Sequence, residues 1–138
     1  MMDHNNQTGF RVPPSDETRR FIEKDESASA MVQLAEKLGK HLSDQKVTTS
    51  QIRNAYGSMK KLEMIGWQGP KTQREILLLK PRLAYAAGRQ SSNAKTGLED
   101  LRKILSDAID TVKDQTSFKR FCQFFEAIVA YHKAAGGK

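Results

Sequence analysis

The stretch from Leu98 to Val112, LEDLRKILSDAIDTV, decides the fold class of this chain. Its apolar side chains recur at spacings of three and four residues, which places them on one face of an α-helix. They are Leu98, Leu101, Ile104, Leu105, Ala108, Ile109 and Val112. Charged side chains occupy the opposite face, as expected for a helix with one face in a core and the other in solvent. The stretch therefore predicts an amphipathic helix that packs against other helices.

The same spacing recurs on both sides of this stretch, and no segment alternates with the period of two that a β-strand requires. Pro81 interrupts one of the predicted helices, and because proline lacks an amide donor we expect a kink or two short helices there. A short first helix is predicted to begin near Ser15. The other predicted helices cover residues 28–42, 48–65, 71–89, 96–112 and 117–134. We predict an all-α fold, a compact bundle of about five helices.

Two tetrapeptides have the form of a capping box, with a hydroxyl residue followed three positions later by Gln or Glu. They are Thr48 to Gln51 and Thr96 to Glu99. Each predicts the start of a helix, and residues 90–95 before the second are predicted to be a polar loop. We expect a single helical domain over residues 15–135, a flexible tail over 1–14 and a flexible C-terminus over 136–138.

Composition excludes several classes of protein. The chain has 138 residues and one cysteine, which rules out an internal disulfide framework and a thiolate-cluster metal site. No apolar run approaches the ~18 to 20 residues that cross a bilayer, and the first thirty residues do not resemble a signal peptide. We therefore expect a cytoplasmic protein with no membrane contact.

The positive charge is concentrated in the middle of the chain. The net charge is +7, and residues 48–97 hold 9 basic and 2 acidic side chains, whereas the segments before and after are close to neutral. Such a concentration favours a polyanionic partner. A solvated basic face with no partner is the alternative.

Catalysis and metal binding find little support in the sequence. The three histidines, His4, His41 and His132, are far apart in the sequence and lack the spacing of a helical metal site. Cys122 and His132 would lie about 15 Å apart along one helix, too far for a nucleophile and its base. Cys122 lies among phenylalanines and is better explained as a core residue. We expect no enzyme activity, no metal, no cofactor and no small-molecule substrate.

The basic segment contains a candidate nucleic-acid site. Arg82 and Arg89 are seven residues apart, with Tyr85 between them, so that two guanidinium groups and an aromatic ring would face one direction. Arginine offers forked donors to phosphate, and an aromatic ring can stack on a base. Burial of Tyr85 in the core is the alternative for that residue. The candidate RNA-binding residues are Arg53, Lys60, Lys61, Lys80, Arg82, Tyr85 and Arg89, with His132 and Lys133 as further candidates.

Three strings in the sequence carry a family resemblance: IRNAY at 52–56, LKPRLAYAAGR at 79–89 and FCQFFEAIVAYHK at 121–133. In order and wording they resemble the small subunit of the type III-A CRISPR effector, the Csm complex. The likeness covers roughly Thr48 to Lys133.

The resemblance implies a helical, non-catalytic subunit of an antiviral ribonucleoprotein. Several copies would line up along guide RNA and target RNA, beside the other Csm subunits. Base pairing would read the sequence, and the protein would hold the phosphate backbone. By this resemblance the family's basic residues map onto Arg53, Lys60, Lys61, Lys80, Arg82 and Arg89, and further onto His132 and Lys133.

Two other classes of function stay open at this stage. A stand-alone helix-turn-helix regulator could use Gln51, Arg53 and Asn54 near the start of a recognition helix. A protein–protein adaptor would direct the basic segment to an acidic protein surface. Binding titrations separate these alternatives, because a regulator prefers one duplex sequence and a complex subunit binds without sequence preference.

Overall fold

Helices account for all the regular secondary structure in the computed structural model, which describes residues 9–24 and 27–138. In chain order they are α1 (Ser15–Lys24), α2 (Ser29–Asp44), α3 (Thr49–Ile65), α4 (Pro70–Leu77), α5 (Leu79–Gly88), α6 (Ser92–Thr111) and α7 (Gln115–Ala134). The predicted all-α fold is confirmed. The described residues form seven helices, whereas about five were predicted.

Helix α7 is the centre of the bundle. The side chains of Phe121, Phe124 and Phe125 are fully buried, and α7 packs most extensively against α2. Phe124 makes an edge contact with Phe21 of α1, and Phe125 makes one with Tyr56 of α3. A helix that is apolar on two sides must be covered on both. Here other helices of the same chain cover it.

The helix starts follow local capping chemistry. At α3 the Thr48 amide donates to Gln51 Oε1 at 2.9 Å, as the first capping box predicts. The second predicted box is wrong, because α6 begins at Ser92 and Thr96 lies inside the helix. Residues 92–95 are therefore helical and not a loop. Ser91 has the extended backbone of an N-cap, and no proline follows it to interrupt the helix before Thr96.

The break at the proline is confirmed as two short helices. Helix α4 ends at Leu77, four residues before Pro81, and α5 begins at Leu79, two residues before it. This position agrees with the steric conflict between a proline ring and the carbonyl four residues back. The break allows α5 to run back along α3, and this pair of helices frames the site described below.

Described residues near both termini make specific contacts. The predicted tail falls partly on residues 1–8, which lie outside the described residues, but the Phe10 ring stacks on His41 with centroids 4.4 Å apart. At the C-terminus the Gly137 amide donates to the His132 carbonyl at 2.8 Å. The Thr49 hydroxyl donates to the Lys138 carbonyl, also at 2.8 Å. These bonds tie residues 137 and 138, predicted to be flexible, to α7 and α3.

Candidate nucleic-acid interface

An open groove lies between α3 and α5, which run antiparallel. Near one end Gln51 Nε2 donates to Gln90 Oε1 at 3.1 Å, and further along Arg82 donates to Ser58 Oγ. The groove has a volume of about 790 Å³. It is lined from α3 by Ser50, Gln51, Asn54, Ser58 and Lys61, and from the other side by Pro81, Arg82, Tyr85, Ala86, Arg89 and Gln90.

Arg82 of α5 and Arg89, the residue just after this helix, both line the groove. They lie nearly two turns apart, so their side chains project in the same direction about 10 Å apart along the axis. Both side chains are exposed. The hydrogen bond from Arg82 to the Ser58 hydroxyl fixes one guanidinium without neutralising its charge. Two forked donors therefore face the same space.

Tyr85 lies between the two arginines and is 68% exposed, which excludes the alternative that it is a core residue. The Arg89 guanidinium carbon lies 5.5 Å from the centre of the Tyr85 ring, within the range of a cation–π contact. Tyr85 is thus a surface aromatic beside two cations.

Helix α3 contributes Lys61 to the same groove. Asn54, Ser58 and Lys61 follow one another at spacings of four and three, so they form one polar face of α3. The buried side chains of this helix, Ile52, Ala55 and Met59, lie on a different face. Of the nine residues predicted from sequence, the groove brings together Lys61, Arg82, Tyr85 and Arg89.

Arg53 and Lys60 are not among the residues that line the groove. They share a face of α3 seven residues apart, and Lys60 is held in an ion cluster with Glu63, at 2.7 Å, and with Glu126 of α7. The hydrogen bond to Glu126, and secondly that to Glu63, raises the pKa of Lys60. The hydrogen bond from Lys60 lowers the pKa of Glu63. Two carboxylates thus compensate the charge of Lys60.

Lys80 and Lys133 also lie outside the groove lining. Lys80 Nζ contacts Asp110 of α6 at 2.5 Å, which pins the break between α4 and α5 to α6. Lys133 is exposed in the last turn of α7, where a cation complements the helix dipole.

The prediction that His132 contacts phosphate needs correction, because the His132 side chain is fully buried. Its Nε2–H donates to the Val47 carbonyl at 2.6 Å. The backbone of Gly137 lies so close to the ring that a Cβ there would meet Cε1 at 2.3 Å. His132 therefore joins α7 to the segment before α3 and does not reach a ligand in this structure.

Sequence reasoning missed the uncharged lining of the groove. Ser58 and Gln90 carry no charge and belong to no motif, and their role depends on partners 24 and 39 residues away in the chain. One weak signal in the sequence could have indicated Ser58. At helical spacing Asn54, Ser58 and Lys61 form one polar face of α3.

The described residues offer little for covalent or metal chemistry. Cys122 is fully buried, and burial raises the pKa of its thiol to about 12. Within residues 9–24 and 27–138, no group of three or more His, Cys, Asp or Glu side chains is placed to hold a metal ion. In the same residues, no helix has the length and apolar character needed to cross a membrane.

The fold and the groove define an all-helical protein with an open basic cleft between two antiparallel helices. Over residues 25–138 the sequence matches the family described as Csm2 Type III-A. It is also 31% identical over 124 residues to the "CRISPR system Cms protein Csm2" of Streptococcus thermophilus, an alignment that covers 86% of this chain and 93% of that relative. The chain belongs to the Csm2 family, the small subunit of the type III-A CRISPR complex.

Family membership confirms the resemblance predicted from the sequence strings. It also implies that the other subunits of the Csm complex are partners of this chain.

Proposed function

We propose that this subunit is non-catalytic and holds the backbone of guide and target RNA, without sequence preference, in the groove between α3 and α5. It would do so in the cytoplasm, within the assembled type III-A complex. The observation that carries the proposal is the convergence of Lys61, Arg82 and Arg89 on one open groove. Among the described residues that line it there is no Asp or Glu.

The electrostatics of the groove support a polyanionic ligand. Lys60 and Lys80 have carboxylate partners, whereas Arg82 contacts a neutral hydroxyl and Arg89 an aromatic ring. The groove arginines therefore keep their full charge for a ligand. Phosphate contacts from Arg and Lys position a nucleic acid but carry no sequence information. Sequence-blind binding follows from this type of lining.

A sequence-reading helix is less consistent with the start of α3. Both polar atoms of the Gln51 amide have partners, since Oε1 accepts from the Thr48 amide and Nε2 donates to Gln90. A recognition helix needs such side chains free to reach base edges.

The test is charge reversal of Arg82 and Arg89 together, followed by fluorescence anisotropy with two unrelated single-stranded RNA oligomers. We expect Arg82→Glu/Arg89→Glu to weaken binding about equally for both oligomers. The matched control is Lys103→Glu/Lys119→Glu, which makes the same change in net charge at exposed positions of α6 and α7 outside the groove. Circular dichroism checks that each variant is folded.

Three results would count against the proposal. Equal losses in the two double variants would mean that net charge, and not the groove, governs binding. Unchanged affinity in a folded groove variant would favour the adaptor. A loss confined to one oligomer would favour a sequence-specific regulator.

We propose further that the subunit bridges its neighbours through apolar side chains at the end of α3 and at the α4–α5 break. Met64 and Ile65 are 84% and 64% exposed, and Leu77 and Leu78 are 47% and 38% exposed. Large apolar side chains exposed close together in the chain are typical of an interaction site. The test is Met64→Ser/Ile65→Ser in the reconstituted complex. We expect a folded subunit with normal RNA binding that co-purifies poorly with the other subunits, and normal assembly would contradict this proposal.

A further inference from the structure

Tyr85 is the one aromatic residue among the described residues that line the groove, whose other lining residues are polar or charged apart from Pro81 and Ala86. Its side chain is 68% exposed, although aromatic rings normally gain stability by burial. The other described aromatic side chains are buried or partly buried. Phosphate binding alone does not require a ring at this position. The exposed ring therefore calls for a ligand with an apolar face.

We propose that Tyr85 is a stacking position for one unpaired nucleobase of an RNA strand held in this groove. The inference rests on the proposed function, and it adds the class of RNA. Every base has a π-face, so stacking on an aromatic side chain is strong but tolerant of sequence. In a duplex the faces of a base are covered by the neighbouring pairs. An unpaired or splayed-out base is therefore the form that can reach Tyr85.

The placement of the two arginines fits such a base. Arg82 precedes Tyr85 by three residues and Arg89 follows it by four, so along the helix axis they lie about 4.5 and 6 Å from Tyr85 on opposite sides. A base on the ring would have a cation on each side to meet the phosphates before and after it. The Arg89 guanidinium already lies over the ring at 5.5 Å, and a base could either take its place or stack on the remaining exposed surface.

An acidic protein segment would use the groove differently. Its carboxylates would pair with Arg82 and Arg89, and it would need no π-face at Tyr85. Binding of a base and binding of an acidic segment therefore differ in their dependence on the aromatic character of residue 85.

The experiment compares Tyr85→Leu with Tyr85→Phe in the full chain. Leu keeps apolar bulk and helix propensity but removes the ring, whereas Phe keeps the ring and is the matched control. Anisotropy is measured with a single-stranded RNA oligomer and with the same oligomer paired to its complement. We expect Leu to weaken single-strand binding about 5- to 150-fold, the range for losing one stacked base. Duplex binding should change less than about two-fold, and Phe should bind both forms like the parent.

A fluorescent base analogue supplies a second readout. A 2-aminopurine in the single strand should be quenched on binding the parent or the Phe variant, and less so on binding the Leu variant. Equal losses for single strand and duplex would mean that the ring only supports the arginines, and would overturn the inference. Unchanged single-strand binding, or no single-strand binding by the parent, would overturn it as well.

The two proposals can fail separately. If Arg82→Glu/Arg89→Glu weakens both forms of RNA and Tyr85→Leu weakens neither, backbone binding stands and base stacking falls. If charge reversal weakens the binding of neither form, the proposed function falls. The stacking inference then falls as well, because it rests on that function.

Discussion

Cys122 is the residue whose environment most clearly decides its chemistry. Its side chain is fully buried in the phenylalanine-rich core, and this burial raises the pKa of the thiol from an ordinary value near 9 to about 12. The nucleophilic form of cysteine is the thiolate, so at neutral pH this thiol is unreactive. Its role is packing.

The raised pKa predicts a specific pH dependence of stability. Above about pH 9 the unfolded state loses the thiol proton while the folded state keeps it, so the free energy of unfolding falls as the pH rises towards 12. We expect the melting temperature to drop between pH 8 and pH 10 by more in the parent than in Cys122→Ala. Identical pH profiles for the two proteins would show that the thiol is not buried as described.

Cys122→Ala should also lower the free energy of unfolding at neutral pH by about 1 kcal/mol, because it leaves a small cavity. RNA affinity should not change, since Cys122 does not line the groove. Chemical denaturation and anisotropy measure the two effects separately. Lost affinity at unchanged stability would instead assign the thiol a function.

Asp114 provides a second pH-dependent feature, at the start of α7. Its carboxylate accepts a hydrogen bond from the Ser117 amide at 2.9 Å, and chiefly this bond lowers its pKa. A lowered pKa contributes stability above the ordinary value near 3.8, and that stability is lost as the pH falls through the folded value. We expect Asp114→Ala to lower the melting temperature at pH 6 by more than at pH 2.

Asp114→Asn is the matched variant, because its amide oxygen can still cap the helix but does not titrate. At pH 6 the melting temperature of the Asn variant should be higher than that of the Ala variant and closer to that of the parent. A difference between parent and Ala variant that is the same at pH 2 and pH 6 would contradict the capping role.

At the scale of elements, α2 and α7 cross in close contact at Gly39. A Cβ at this position would lie 2.6 Å from the His132 amide nitrogen and 2.7 Å from Tyr131 Cβ. The atoms that it would meet include backbone, which cannot move aside cheaply. Glycine is therefore required for the most extensive helix contact in the bundle.

Gly39→Ala should consequently lower the free energy of unfolding by about 1–3 kcal/mol, the usual cost of overpacking. Gly57 on α3 is the matched control, since it is helical and a Cβ there would meet nothing within 4 Å. Gly57→Ala should raise the free energy of unfolding by about 0.5–1 kcal/mol through helix propensity. Urea denaturation of both variants tests the pair, and equal effects would contradict the described crossing.

Sequence patterns predicted the elements well where the signal was local. The stripe from Leu98 to Val112, the box at Thr48 and the break near Pro81 depend on residues within one or two turns of one another. The start of α6 at Ser92 was missed, because a later tetrapeptide imitates a capping box while lying inside the helix. The cap at Asp114 begins α7 two residues before the predicted start.

At the scale of the whole molecule, the excess positive charge of residues 48–97 divides into different environments. Acids from α6 and α7 compensate Lys80 and Lys60, whereas Lys61, Arg82 and Arg89 line the open groove. Sequence spacing predicted that Arg82, Tyr85 and Arg89 would share a face. It could not predict that Asp110 pairs with Lys80 and Glu126 with Lys60, because these partners lie 30 and 66 residues apart in the chain.

The burial of His132 is a second feature that sequence spacing could not predict. Its position in the last turn of α7 suggested an exposed ring, but residues 135–138 fold back and bury it against Val47. Burial of this kind depends on how the chain end packs, and a helical pattern carries no information about it. The candidate site is therefore smaller than the sequence suggested and lies between two helices.

The central claim is that Arg82 and Arg89 each neutralise a phosphate of a bound single strand, and the salt dependence of binding tests it most directly. Arg82→Gln/Arg89→Gln removes both charges without adding repulsion, and anisotropy over a salt series gives the slope of log affinity against log salt for this variant and for the parent. The account predicts that the slope becomes shallower by about 1.4, which is 0.7 for each lost phosphate contact. A folded variant whose slope equals that of the parent would contradict it.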